Sequence, residues 1–115
     1  MSATSERGRY FESLACQFLQ QQGLQLLTQN FRCRLGEIDL IFRQGEQLIF
    51  VEVKYRQHDY FGGAAAAVTY QKQQKLTRTA HFYLQQQRSQ AACRFDVIAI
   101  SGDEPYTIEW IKNAF

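Results

Sequence analysis

The sequence predicts an α/β fold, in which one mixed β-sheet is flanked by helices in the order αβββαβ, with a short extra strand after this core. Three observations lead to this prediction. Two segments carry apolar residues at helical spacing, and five shorter segments have the apolar patterns of strands. Three of the predicted strands follow the first helix and two follow the second. A length of 115 residues suits one hydrophobic core, so residues 1–115 are expected to form a single domain.

The first helix is predicted from Ser5 to Gln22. Serine commonly caps helix N-termini, and Gly23 ends the helical pattern. The apolar residues that recur at helical spacing are Phe11, Leu14, Ala15, Phe18 and Leu19. They define one apolar stripe along this helix.

Three strands are predicted next, at residues 24–34, 37–43 and 48–56. Gly36 separates the first strand from the second, and the sequence QGEQ at residues 44–47 forms a tight turn between the second and the third. Strands joined by such short connections pair with their neighbours in antiparallel orientation. The three strands are therefore expected to form an antiparallel meander.

A connection is expected at residues 57–67, followed by a second helix from about Val68 to Gln87. This helix has an apolar face and a separate basic face. The apolar face carries Leu76, Ala80, Tyr83 and Leu84, and the basic face carries Lys72, Lys75 and Arg78. A fourth strand at residues 93–100 is apolar on both faces, and a short strand at residues 106–111 follows it.

Composition excludes several classes of protein. The longest apolar run is about five residues, whereas a membrane-spanning helix needs roughly 20, and the first residues lack the apolar core of a signal peptide. A soluble cytoplasmic protein without a membrane partner is expected. Cys16, Cys33 and Cys93 form neither a disulfide framework nor a C-x-x-C motif, and they are expected to be reduced and mostly buried.

Acidic residues interrupt the apolar second and third strands. Alternation predicts that Asp39 shares a face of its strand with Glu37 and Ile41, opposite Ile38, Leu40 and Phe42; on the next strand Glu52 and Lys54 share a face. The hairpin places the two strands about 4.8 Å apart. One register brings Asp39 close to Glu52 and Lys54, although the sequence alone does not fix that register.

Such a cluster suits metal-dependent phosphodiester hydrolysis. Mg²⁺ takes carboxylate oxygens as ligands, which Asp39 and Glu52 supply, and a lysine such as Lys54 stabilises the charge that develops on the phosphate. The alternative is that these charges pair across strands on a solvated face, which is worth about 0.2–1 kcal/mol per pair.

Basic residues are concentrated in one part of the chain. From Lys54 to Arg94 there are seven basic side chains and one acidic one, Asp59. This asymmetry indicates a surface for a polyanion, the alternative being a solvated helix face. The predicted nucleic-acid-binding residues are Arg32, Arg34, Arg56, Lys72, Lys75 and Arg78.

Two sets of motifs carry a resemblance to known proteins. Asp39, followed on the next strand by Glu52-Val53-Lys54, resembles the signature of PD-(D/E)XK nucleases. The segments GEIDLIFR, FVEVKYR, FGGAAAAVTYQKQQKL, CRFDVIAI and IEWIKNAF resemble, in this order, the YraN-like family of uncharacterised proteins. That family is described as endonuclease-like and related to archaeal Holliday junction resolvases.

The resemblance implies a restriction-endonuclease-like αβββαβ core and a nuclease that acts on branched or structured DNA with Mg²⁺ or Mn²⁺. It implies that Asp39 and Glu52 bind the metal, that Lys54 is catalytic, and that Glu12 on the first helix completes the site as a further acidic ligand. The alternative for Glu12 is an ordinary acid near a helix N-terminus. A module that binds nucleic acid without cutting it is the alternative function. By analogy with junction resolution, a homodimer is possible.

Overall fold

The computed structural model describes residues 5–57 and 68–115. In these residues it contains two helices and five strands, which confirms the α/β prediction. The elements are α1 (Glu6–Gln21), β1 (Gln25–Cys33), β2 (Gly36–Gln44), β3 (Gln47–Arg56), α2 (Tyr70–Gln86), β4 (Cys93–Ser101) and β5 (Thr107–Ile111). The predicted bounds differ from these by at most two residues. Apart from Gln57, the predicted connection at 57–67 lies outside the described residues.

The five strands form one mixed sheet in the order β1-β2-β3-β4-β5. The first three form the expected antiparallel meander, β3 and β4 are parallel, and β5 returns antiparallel to β4. A parallel pair requires a crossover connection, and α2 lies within this one. The sheet therefore has α1 packed on one face and α2 on the other.

Two buried clusters hold these layers together, because each helix covers one apolar face of the sheet. The α1 cluster contains Phe11, Ala15, Leu19, Leu40, Phe42, Ile49, Val51, Ile98 and Ile100. The α2 cluster contains Leu76, Ala80, Tyr83, Ile38, Ile41, Phe50 and Val97. β4 contributes to both clusters, as its apolar run predicted. The predicted cap is also present, since the Ser5 side chain accepts a hydrogen bond from the N–H of Gly8.

The predicted alternation along β2 is wrong at Ile38. Ile38 packs in the α2 cluster with Ile41, whereas Leu40 and Phe42 pack in the α1 cluster. The alternation therefore breaks near Asp39. On the neighbouring strand β1, Asn30 lies between residues paired with Leu40 and Ile38, and its φ of 52° is left-handed. This local irregularity in both strands changes the direction of the side chains before Leu40.

The start of β2 lies very close to α2. Gly36 has a φ of 154°, and a Cβ atom at this position would lie 2.7 Å from Oγ1 of the buried Thr79. A side chain at residue 36 would therefore push α2 away from the sheet. Because residue 36 is a glycine, α2 can approach β2 this closely.

The buried acid Asp96, on β4, accepts hydrogen bonds from several donors. Its carboxylate accepts hydrogen bonds from Nε of Arg94 (3.0 Å), from Nε1 of Trp110 (2.9 Å) and from the backbone N–H of Asn113 (2.9 Å). Asp96 is 1% exposed. It ties β4 to β5 and to the chain that follows β5.

Burial of the cysteines is more varied than predicted. Cys16 is buried, but Cys33 is only partly buried and Cys93 is exposed at the start of β4, so the prediction of burial is wrong for Cys93. Neither of the described helices is long and apolar enough to cross a membrane.

Candidate metal site and basic grooves

The predicted acids lie where β2 separates from β3. The registered pairs of these strands end at Leu40 and Val51, while β3 continues beside β4 as far as Arg56. Beyond these pairs, the Asp39 side chain bonds to the backbone of β3: its Oδ2 accepts a hydrogen bond from the backbone N–H of Val53 at 2.9 Å. The same register, extended by one residue, places Asp39 opposite Glu52.

Asp39 and Glu52 interact directly. Burial, the neighbouring charge of Glu52 and a hydrogen bond between the two carboxyl groups together raise the pKa of Asp39 from 3.8 to about 8. The hydrogen bond from the N–H of Val53 opposes this rise. Without a bound cation, Asp39 therefore keeps its proton to a higher pH than an exposed aspartate does. Two carboxyl groups in contact are an arrangement that a cation would stabilise.

Two lysines reach the pair from different elements. Lys54, two residues along β3, has its Nζ 3.6 Å from Oε2 of Glu52. Lys72, in the first turn of α2, has its Nζ only 2.7 Å from the same oxygen. Burial lowers the pKa of Lys72, but the hydrogen bond and charge of Glu52 raise it more, so the net shift is upward. Glu52 itself is 5% exposed.

Glu12 on α1 lies at the margin of this cluster. Burial raises its pKa, a hydrogen bond with the Asn30 side chain lowers it, and the charges of Glu37 and Glu52 raise it. Within residues 5–57 and 68–115, no group of three His, Cys, Asp or Glu side chains is placed to hold a metal ion. The carboxylates thus form a close pair, with Glu12 near enough to act on the pKa of Asp39.

Asn30 is a neighbour of the site that sequence reasoning missed. Its Oδ1 is buried and has no hydrogen-bond partner among the described residues, although its side chain bonds to Glu12. An asparagine inside a strand pattern was the available signal, because asparagine is enriched at left-handed φ. Asp39, Glu52, Glu12 and Asn30 all offer oxygen atoms, the ligand type that Mg²⁺ and Mn²⁺ take. The close pair of Asp39 and Glu52 fits such an ion, with Glu12 and Asn30 at its margin.

The six predicted basic residues do not form one continuous patch. Arg34 and Arg78 meet in a groove between the β1–β2 turn and α2, together with His81. The guanidinium of Arg34 also lies over the ring of Phe82, 6.0 Å from its centroid. This arginine groove lies apart from the carboxylate pair.

A second, smaller cavity of about 70 Å³ lies along β3, β4 and β5 and is lined by Lys54, the lysine that reaches Glu52. Lys54 and Arg56 line it, together with the hydroxyl-bearing Ser101 and Thr107 and the acidic Glu109. Its position extends the site from the carboxylate pair along β3.

The remaining predicted basic residues have different surroundings. Arg32 forms an ion pair with Glu37 at 2.7 Å, so its charge is already matched. Lys75 is exposed on α2 and lines neither groove. Lys72, predicted on the nucleic-acid surface, lies at the acids instead. The structure therefore brings Lys72, Lys54 and Arg56 to the site, with Arg34 and Arg78 in a separate groove.

Sequence comparison places the chain among proteins without an assigned activity. A family model described as "Uncharacterised protein family UPF0102" matches residues 11–100. Two UPF0102 proteins of Nitrosomonas europaea are 51% and 54% identical to this chain over 115 residues, covering 100% of it and 98% of each of them. A UPF0102 protein of Aeromonas hydrophila is 54% identical over 112 residues, covering 95% of this chain and 84% of that protein.

Proposed function

The chain belongs to the uncharacterised protein family UPF0102, and because that description assigns no activity, we propose a function from the chemistry of the site itself. The protein is a metal-dependent nuclease that hydrolyses phosphodiester bonds in structured or branched DNA. Membership of the YraN-like family was expected from the sequence. The link to PD-(D/E)XK nucleases, with a restriction-endonuclease-like core, is part of this proposal.

One observation carries the proposal: two carboxyl groups, Asp39 and Glu52, lie in contact where β2 separates from β3, and both Lys54 and Lys72 reach Glu52. A pair that serves only stability would be expected to have opposite charges, because like charges in a partly buried place repel each other. A divalent cation would relieve this repulsion. The unpaired oxygen of Asn30 nearby supports the same conclusion.

Each residue of the site has a role in this chemistry. Asp39 and Glu52 hold the ion, and the N–H of Val53 orients the Asp39 carboxylate. The ion, when bound, polarises a phosphoryl oxygen and lowers the pKa of a coordinated water. Lys54 stabilises the negative charge that develops on the phosphate. Glu12, at the margin of the pair, would serve as a further ligand or would accept a proton from the water.

The basic grooves supply the proposed contacts to DNA. Arg56 lies beside Lys54 in the small cavity, where it can bind a phosphate next to the one that is cut. Arg34 and Arg78 bind the backbone farther along, in their own groove beside α2. Two separated phosphate sites suit a bent or branched duplex. Two symmetric cuts at a junction need two active sites, so a homodimer in the cytoplasm is part of the proposal.

Metal binding is tested by calorimetry with Mn²⁺. The parent protein is expected to release or absorb heat and to gain about 2.7 kcal/mol of stability at a hundredfold excess over Kd. Asp39→Asn and Glu52→Gln are expected to lose both effects. Glu46→Gln, at the exposed hairpin turn, is the matched control and is expected to behave as the parent. Equal heats in all four proteins would refute the metal site.

Cleavage is tested on four-way junctions, flaps and single strands in Mn²⁺. Lys54→Ala is expected to lower the cleavage rate about 100-fold or more, since it removes charge stabilisation at the phosphate. Lys112→Ala removes a lysine far along the sequence and serves as the control. A parent protein that binds these DNAs and cuts none of them would point to the second candidate.

That second candidate is a module that binds nucleic acid without cutting it. The observation that favours it is the charge balance of Glu52, whose carboxylate is already met by Lys72 and Lys54. The grooves formed by Arg34 with Arg78 and by Lys54 with Arg56 do not require a metal. Binding that is unaffected by EDTA, without any cleavage, would support this function.

A further inference from the structure

The contact between Lys72 and Glu52 is not an ordinary surface ion pair. Its Nζ–Oε2 distance is 2.7 Å, and the side chain of Glu52 is 5% exposed while that of Lys72 is 43% exposed. Exposed pairs are weakened by water and salt, whereas a carboxylate withdrawn from water depends on its partner. Lys72 therefore supplies the nearest positive charge to a buried acid of the site.

The position of Lys72 in its helix also indicates that this lysine serves the acidic site. α2 begins after Thr69, whose side chain accepts a hydrogen bond from the N–H of Lys72 at 3.1 Å. The first turn of α2 contains no acid and does contain this lysine. The positive end of a helix dipole disfavours a cation there, so helix stability does not account for Lys72. The acidic side chains on the sheet account for a lysine at this position.

A metal ion and Lys72 cannot both keep the present arrangement. An ion bound to Glu52 would lie next to the Lys72 ammonium, which is 2.7 Å from the Glu52 carboxylate, and the two positive charges would repel each other. Lys72 has a long, flexible stem and its side chain is 43% exposed, so its ammonium has room to move outward. Lys54, with its side chain 30% exposed and its Nζ 3.6 Å away, is less strongly engaged.

We propose that Lys72 is a second functional lysine, which neutralises Glu52 until a divalent cation replaces it and then binds the phosphate of the DNA. This inference rests on the proposed function, because it needs both the metal and the DNA. It assigns to α2 a part in the site itself, in addition to its basic outer surface.

The first test measures Mn²⁺ affinity by calorimetry. Lys72→Met keeps the apolar stem and removes the competing charge, so it is expected to bind Mn²⁺ about tenfold more tightly than the parent. Lys75→Met, one turn further along α2, is the matched control and is expected to stay within about twofold of the parent. Lys72→Gln serves as the second variant, and melting curves in EDTA verify that each protein is folded.

The outcomes separate the two proposals. Unchanged or weaker Mn²⁺ binding by both Lys72 variants, with normal binding by the parent, overturns the role of Lys72 and leaves the metal site standing. Absence of Mn²⁺ binding by the parent overturns both.

The second test asks whether Lys72 contacts a DNA phosphate once the ion is bound. Affinity for a four-way junction is measured against salt concentration, once in EDTA and once in Ca²⁺. Lys72→Met is expected to reduce the log–log slope by about one unit in Ca²⁺ and to leave it unchanged in EDTA, because Lys72 contacts phosphate only after the ion has replaced it. An equal reduction of the slope in both conditions, or none in either, contradicts the exchange.

Discussion

Two acids of the same sheet, the buried Asp96 and the half-buried Asp39, have opposite surroundings. Asp96 receives hydrogen bonds from Arg94, Trp110 and Asn113, and it forms an ion pair with Arg94 at 3.0 Å. Asp39, two strands away, receives a hydrogen bond from a backbone N–H and faces another acid, Glu52. Burial, together with the charge of Glu52, raises the pKa of Asp39 to about 8. One acid is surrounded by donors and the other is placed beside a like charge.

The difference separates a structural acid from a candidate functional one. A buried carboxylate whose hydrogen bonds are satisfied inside the protein has no free lone pair to offer a ligand. A carboxylate buried against a second acid lowers the stability of the fold and retains affinity for a cation. The comparison therefore predicts that substitutions at the two places change stability in opposite directions.

The largest effect is expected at Asp96. Asp96→Asn would leave the guanidinium of Arg94, which is 17% exposed, without its counter-ion, and we expect a loss of about 3–5 kcal/mol in the free energy of unfolding. Urea denaturation, monitored by Trp110 fluorescence and circular dichroism, measures it. A loss below about 1 kcal/mol would show that the donors around Asp96 are not what holds β4 to β5.

A smaller effect of opposite sign is expected at Asp39. Asp39→Asn keeps an oxygen for the N–H of Val53 and removes the repulsion with Glu52, so we expect a gain of about 1–2 kcal/mol in EDTA at pH 8. The melting temperature should rise by roughly 5 °C. Glu46→Gln is the control for removal of an exposed charge.

The pH dependence of this gain follows from the raised pKa of Asp39. The fold favours the protonated carboxyl group, so the parent loses stability as pH rises from about 3.8 towards about 8, the values for the unfolded and folded chain. Asp39→Asn does not titrate and escapes this loss. The difference in melting temperature should grow between pH 5 and pH 8, and a constant difference would contradict the shifted pKa.

The smallest effect is expected in the groove away from the acids. Arg34→Ala combined with Arg78→Ala should weaken junction binding about fivefold and lower the salt slope by about one unit for each phosphate that is no longer bound. Metal affinity and stability should stay as in the parent. Arg43→Ala, whose guanidinium bonds to Gln25, removes a comparable charge elsewhere and is the control. An unchanged slope would remove this groove from the interface.

Much of the fold followed from local patterns. Helical spacing, the tight turn at 44–47 and the apolar run of β4 predicted each element within two residues. The same hairpin predicted that Asp39 could meet Glu52, because a four-residue turn leaves few registers open. The metal and DNA roles of these residues stay predictions.

The sequence did not reveal how α2 lies on the sheet. Whether Lys72 faces water or Glu52 depends on packing between residues far apart in sequence, including the close approach of Gly36 to Thr79. The break in alternation that redirects Ile38 arises from an irregularity in two strands at once, which periodicity in one strand does not show. Likewise, two of the donors to Asp96 come from residues 14 and 17 positions later.

The parallel pairing of β3 with β4 affects how the chain is made. Cys93, which pairs with Leu48, is synthesised 45 residues later. At 5–20 residues per second, the edge of β3 that pairs with β4 therefore stays unpaired for on the order of 2–9 s. During that time β3 is an apolar edge strand open to pairing with other chains. Glu52, Lys54 and Arg56 carry charges along its outer half, and charged side chains disfavour such pairing. Glu52 and Lys54, which are proposed to act in cleavage, are thus also expected to disfavour aggregation of the nascent chain.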